Sequence, residues 1–147
     1  MCHSSVLLLI LYYRRCAMFK IETRSSGFLL TFSGFIEAEE MKRWVEESEK
    51  ALKTAPSDFG VIVDMRALKP LPADSKAVME SGQKLYKMKG MKRSFVAVND
   101  AVTAMQFKKI AKESGIYLWE RYIDASTNPE WQKIAVEWVK NSIDPDK

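Results

Sequence analysis

The chain has 147 residues, 47% hydrophobic and 29% charged, with a net charge of +4. That balance suits a single globular domain with one core and excludes collagen-like and disordered classes. Both cysteines and the only histidine (Cys2, His3 and Cys16) lie in the first sixteen residues, so the body lacks an imidazole, a thiolate nucleophile and a cysteine zinc cage.

Val6 to Tyr13 is an apolar run of eight residues, far short of the about 20 needed to cross a bilayer. Arg14 and Arg15 follow the run instead of preceding it, which is wrong for a secretory signal. The reading adopted is that translation starts at Met18 and that residues 1–17 are an upstream leader. An extra edge strand or partner-binding segment is the second reading, and a membrane anchor the third. Without Arg14 and Arg15 the net charge falls to +2, too little to imply nucleic acid. Cys2 and Cys16 offer no disulfide framework for the body, which fits a reducing cytoplasm.

From Met18 the predicted elements follow in order. Phe19 to Thr23 alternates apolar and charged residues, the period of a half-exposed strand. Ser25-Ser26-Gly27 is a turn, and Phe28 to Phe32 returns as the second arm of a hairpin. Gly34 ends that strand. Met41, Trp44, Val45, Ser48 and Leu52 then recur at helical spacing, which predicts a helix from Glu37 to about Thr54.

Val61-Ile62-Val63 reads as a strand covered on both faces, ending at Asp64. Pro70 and Pro72 predict a loop from Arg66 to Pro72. Asp74 or Ser75 is expected to cap a second helix reaching about Met88, with Ala77, Val78, Ser81, Leu85 and Met88 inward. Within it, Gly82 marks a weak point or a close packing contact. Ser94 to Val98 is the next strand, with Asn99-Asp100 as turn or cap. Thr103, Phe107, Ile110, Ala111 and Ser114 face a third helix inward, and Gly115 stops it. Tyr117 to Ile123 is read as the last strand. Asn128-Pro129 opens a closing helix with Trp131, Ile134, Ala135, Trp138 and Val139 inward, and Asp144 to Lys147 as a frayed tail. The fold class is α/β: a mixed, mostly parallel sheet of about five strands with four helices, in the order β-β-α-β-α-β-α-β-α.

Four local features carry a resemblance. Phe28 to Gly34 runs into an acidic helix start. Val61-Ile62-Val63-Asp64-Met65 is an apolar strand ending in aspartate. Asp74-Ser75 opens the next helix after a loop. Arg121-Tyr122-Ile123-Asp124 precedes a closing helix with Trp138. Over Met18 to about Asn141 the chain resembles the STAS domain, the anti-sigma factor antagonist fold, and within it the SpoIIAA-like (STAS/SEC14-type) proteins. The resemblance implies a protein partner of the kinase or sigma-regulator type, and phosphorylation of a serine at the position of Ser75. Lys76 and Ala77 depart from the family's Ser or Thr followed by Gly, and the Lys69-Pro70-Leu71-Pro72 loop is longer, which argues against Ser75 as the native switch.

Other groups are weighed against simpler roles. A helix start at Asp74-Ser75 offers free N–H groups to an anion, with Lys69 and Lys76 as counter-charges, but capping alone explains the pair. Lys84, Lys87, Lys89, Lys92 and Arg93 suit the C-terminal end of a helix; a docking patch for an acidic partner, a lipid headgroup or RNA is the sharper alternative. Trp119, Arg121 and Tyr122 are a candidate interface. Asp64 and Asp124 at one sheet edge suggest paired carboxylates, without a confirming third. No phosphate-cradling glycine motif is present.

The expectation is a non-enzymatic, cytoplasmic, regulatory interaction module with no cofactor and no metal. Its site is Asp64, Asp74, Ser75 and Lys76; a second copy of the chain is allowed as partner, and neither nucleic acid nor a membrane span is expected. The alternative is a small carrier of an apolar or amphipathic ligand, with Met79, Met88, Met91 and Met105 lining its pocket.

Overall fold

A β-hairpin starts the sheet, and every later strand joins at the same advancing edge. In this computed structural model, which describes residues 18–147, the strands are β1 (Phe19–Arg24), β2 (Gly27–Gly34), β3 (Gly60–Leu68), β4 (Arg93–Val98) and β5 (Glu120–Asp124). They lie in sequential order, β1 antiparallel to β2 and the rest parallel. The reading of residues 1–17 as a leader falls outside the described residues.

Helices α1 (Ala38–Leu52), α2 (Ala73–Met88) and α3 (Ala101–Ser114) make the three parallel crossovers. Right-handed crossovers that keep moving in one direction place all their helices on one face. The main core is accordingly there: Phe28, Leu30 and Phe32 of β2, Val61 and Val63 of β3, and Val96 and Val98 of β4 meet Met41, Trp44, Met79 and Tyr86. Among the described residues, the opposite face is covered by α4 (Trp131–Asn141) alone, whose Trp131, Ala135, Trp138 and Val139 pack on Phe95 and Ala97.

The hairpin needs Gly27, whose φ of 151° suits glycine and whose α-carbon faces Gly60 so closely that a Cβ would stand 1.8 Å from the Gly60 carbonyl oxygen. Gly115 ends α3 in the left-handed conformation, as its place in the sequence predicts. Asp100 caps the other end of α3: its carboxylate accepts from the Thr103 amide and hydroxyl, both at 2.7 Å.

Six local expectations are corrected. β3 does not stop at Asp64 but runs to Leu68: it bulges by one extra residue between Asp64 and Ala67, opposite Thr31 to Ser33, and beyond the bulge Ala67 and Leu68 pair with Ser33 and Gly34. Pro72, not Asp74 or Ser75, is the N-cap residue of α2. That helix buries Ser75, Met79, Gly82 and Tyr86, a stripe rotated from the expected one, while Met88 is 81% exposed. Residues Ile116–Leu118 form a 3-10 turn before β5, and α4 starts at Trp131 after a turn at Asn128. The tail is not frayed: Asp144 and Asp146 fold back onto Arg121, Tyr117 and Lys108.

Candidate functional site

In a parallel sheet, ligands and partners gather where the strands end and the helices begin. Here that edge carries Phe35, Arg66, Lys69, Asp74, Lys76, Asp100 and Asp124. Asp64 lies a little before it, paired with Thr31 on one side and Ala97 on the other. Because strand side chains alternate, Asp64 shares its face with Ile62, which packs under α4, and not with Val61 and Val63. Its carboxylate accepts from Arg66 Nε and Nη2, each at 2.9 Å, and from the Arg66 amide at 3.1 Å. The guanidinium also lies 4.9 Å from the centre of the Trp131 ring. The hydrogen bonds to Asp64 raise the arginine pKa further.

Asp74 and Ser75 sit on the opposite face of the sheet, on α2. Asp74 Oδ1 accepts from the Ser75 amide at 2.9 Å. Ser75 is fully buried and its hydroxyl has no hydrogen-bond partner among the described residues. Lys76 is exposed, and its amide donates to Pro72 O as the helix begins. The predicted four-residue site is therefore split: the sheet separates Asp64 from Asp74, Ser75 and Lys76. Asp64 and Asp124 are likewise not a pair. They belong to β3 and β5, with β4 between them, about 10 Å apart by strand spacing. Asp124 instead accepts from the Ser126 amide at 2.9 Å, closing a turn. Among the described residues, no three His, Cys, Asp or Glu side chains are grouped to hold a metal ion.

The edge does bring two loops together. The Lys69 amide donates to Gly34 O at 3.1 Å, tying the β3–α2 loop to the β2–α1 turn. Phe35 is 69% exposed beside that tie, and Lys69, Pro70 and Pro72 are exposed on the neighbouring loop.

At the other end of the strands, Trp119, Arg121 and Tyr122 are not a common exposed surface. Arg121 is buried between the Tyr117 ring at 3.8 Å and the Trp138 ring at 4.2 Å. Its Nε and Nη2 donate to the two Asp144 oxygens, both at 2.9 Å. That bond holds the Asp144 carboxyl down at about 2. Tyr122 is buried and donates to Glu120 Oε2 at 2.6 Å, while Ser94 Oγ donates to Glu120 Oε1 at 2.8 Å. Burial pushes the Glu120 carboxyl upward, against the pull of those two hydroxyls. Trp119 is half-buried under the Lys87 ammonium, 4.1 Å from its ring.

The four methionines expected around a ligand do not line one cavity. Met79 and Met91 are in the main core, whereas Met88 and Met105 are 81% and 70% exposed. An open groove of about 420 Å³ lies elsewhere, between β1 and α1, with Lys20, Glu47 and Lys50 on its walls.

Sequence reading passed over Phe35 and left Asp144 in a frayed tail. Only Asp144 had a usable signal: an arginine inside an apolar strand demands a carboxylate, and the acidic tail supplies one.

No family model and no curated protein matches the chain. Among solved structures it is similar to an uncharacterized protein of the DUF3478 family with a SpoIIAA-like fold from Shewanella loihica PV-4. The TM-score is 0.60 at 14% sequence identity, over 82% of this chain and 91% of that one. The fold is thus SpoIIAA-like, an α/β arrangement of five mixed strands and four helices. No helix among the described residues is long and apolar enough to cross a membrane.

Proposed function

We propose that the chain is a non-catalytic regulatory module of the cytoplasm, which binds a protein partner at the C-terminal edge of its sheet. One observation carries the reading: the Lys69–Gly34 tie sets exposed Phe35 beside exposed Pro70 and Pro72. An aromatic anchor flanked by rigid prolines loses little entropy on binding and suits an interface centre. The acidic groups around it support the same reading. Asp64, Asp74, Asp100 and Asp124 are each engaged by a neighbour in sequence. Asp100 caps a helix, Asp124 closes a turn, Asp74 holds the Ser75 amide and Asp64 is paired with Arg66, roles that favour a structural reading over acid–base work. The SpoIIAA-like fold favours a partner of the kinase or sigma-regulator type by analogy only. In this reading the partner recognises the surface itself. Modification of Ser75 would first require the first turn of α2 to open, since the hydroxyl is fully buried.

The test is recovery of tagged protein from the native host as wild type and as Phe35→Asp. A stoichiometric protein partner on the wild type, lost with Phe35→Asp, supports the proposal. Equal recovery on both, or turnover of a metabolite by the purified chain, overturns it.

A further inference from the structure

We propose that the opposite end of the sheet, where β4 and β5 begin, docks reversibly on an anionic lipid bilayer. The two most exposed large apolar residues among those described are there: Leu118 at 83% and Met88 at 81%. Residues 32 positions apart in the sequence are joined at this place by one contact, Lys87 Nζ lying 4.1 Å from the Trp119 ring centre. Met88 follows that lysine and Leu118 precedes that tryptophan, so both apolar tips flank the same contact.

Around the tips stand Lys84, Lys89 and Lys92, all exposed, and Lys112, whose ammonium lies 4.9 Å from the Tyr117 ring. Their acidic neighbours are few. Glu113 is exposed on the last turn of α3, and Asp58 lies beside the Gly90 turn. Glu120 is occupied by Ser94 and Tyr122, and Asp146 by Lys108 and Tyr117. Lysines at a helix end complement its dipole, but a dipole gives no reason for a methionine and a leucine held fully in water between them. A protein interface wants a broad, closed apolar centre. Single protruding apolar side chains ringed by lysines match the headgroup boundary of a membrane, where the tips enter the acyl region and the ammonium groups meet anionic headgroups. This surface lies at the other end of the strands from Phe35, so it stands or falls independently of the partner-binding proposal.

The experiment is co-sedimentation of the full chain with phosphatidylcholine vesicles, with and without phosphatidylserine. The expected result is binding only when phosphatidylserine is present, released by high salt. Met88→Asp combined with Leu118→Asp lowers the partition coefficient on the order of tenfold or more, and Lys87→Gln with Lys89→Gln does the same. Both pairs change exposed positions, and an unaltered circular dichroism spectrum and melting curve confirm the fold. Val102→Asp, exposed at the far end of α3, leaves binding unchanged. Absence of binding, binding indifferent to phosphatidylserine, or full binding by the apolar double variant overturns the proposal. So does capture by polyuridylate or polyglutamate beads without capture by vesicles.

Discussion

The indole of Trp44 occupies the space that a side chain on Gly82 would need: a Cβ there would stand 2.2 Å from Trp44 Cζ3. This is the point where α1 and α2 approach each other. Trp44 cannot swing away, because it is stacked on Tyr86 at 5.7 Å and meets Phe32 edge-on at 5.1 Å. Gly82→Ala would gain about 1 kcal/mol of helix propensity. Overpacking costs about 1–3 kcal/mol in ordinary cores, and here the obstacle is a ring held on two sides. Net destabilisation of about 2 kcal/mol is expected from urea unfolding. A variant as stable as wild type would show that the helices slide apart freely.

Tyr86 makes a second link between the same helices, since its hydroxyl and that of Ser48 lie 2.8 Å apart. Both residues are buried. Tyr86→Phe therefore strands the Ser48 hydroxyl and costs about 1–3 kcal/mol, whereas the pair Tyr86→Phe with Ser48→Ala recovers part of that loss. A double-mutant cycle by chemical denaturation reads the difference. Burial also pushes the Tyr86 phenol up to about 12, so the neutral form is the folded one. The associated stability is complete below pH 10 and disappears as pH rises through about 12. The absorbance of this tyrosinate should accordingly appear only at the alkaline end of that window.

The Arg121–Asp144 pair makes a prediction at acid pH. The folded carboxyl sits at about 2, below its ordinary 3.8, so it is stabilising in its charged form. The contribution, about 1 kcal/mol after solvent screening, is complete above the ordinary value and is lost as pH falls through about 2. Asp144→Asn removes that part of the pH dependence and leaves a buried guanidinium short of a counter-charge. Stability curves of the two proteins should differ at pH 7 and converge near pH 2. Parallel curves across that range would exclude Asp144 as the partner that matters.

Ser75 makes the opposite sort of prediction. Its hydroxyl is buried without a partner among the described residues, so Ser75→Ala removes an unmet hydrogen-bonding group and should stabilise by about 1 kcal/mol. Ser75→Asp places a charge in the same space and should cost more than about 3 kcal/mol. Thermal melts of both variants suffice. A melting temperature lowered by alanine, or unchanged by aspartate, would mean that the first turn of α2 opens readily.

What was legible in the sequence follows from how local each signal is. Val61-Ile62-Val63 announces a strand because all three residues are apolar in a row, and Gly115 announces a helix end through its own backbone. The extension of β3 to Leu68 was not legible, since it depends on a bulge in β3 between Asp64 and Ala67 that shifts its register against Thr31 and Ser33. The inward stripe of α2 was misplaced for a different reason. Two of its buried members, Ser75 and Gly82, have no apolar side chain, so burial there reflects what the neighbouring helix presents. The split of the candidate site is a matter of phase: Asp64 is in step with Ile62, and Ser75 is on the inner stripe of a helix that covers the other face. Neither fact is visible until the crossover direction is known. Asp144 escaped because it lies 23 residues from the arginine it serves.

The sequential strand order has a consequence for how the chain emerges from a ribosome. Each strand after the first lies against the one synthesised just before it, so a growing chain always has its docking edge already made, and few loops must close over long distances. Only α4 comes late. Until it arrives, Phe95 and Ala97 lack the helix that packs on them in the finished fold. A nascent chain halted before Trp131 is thus the form that most needs a chaperone.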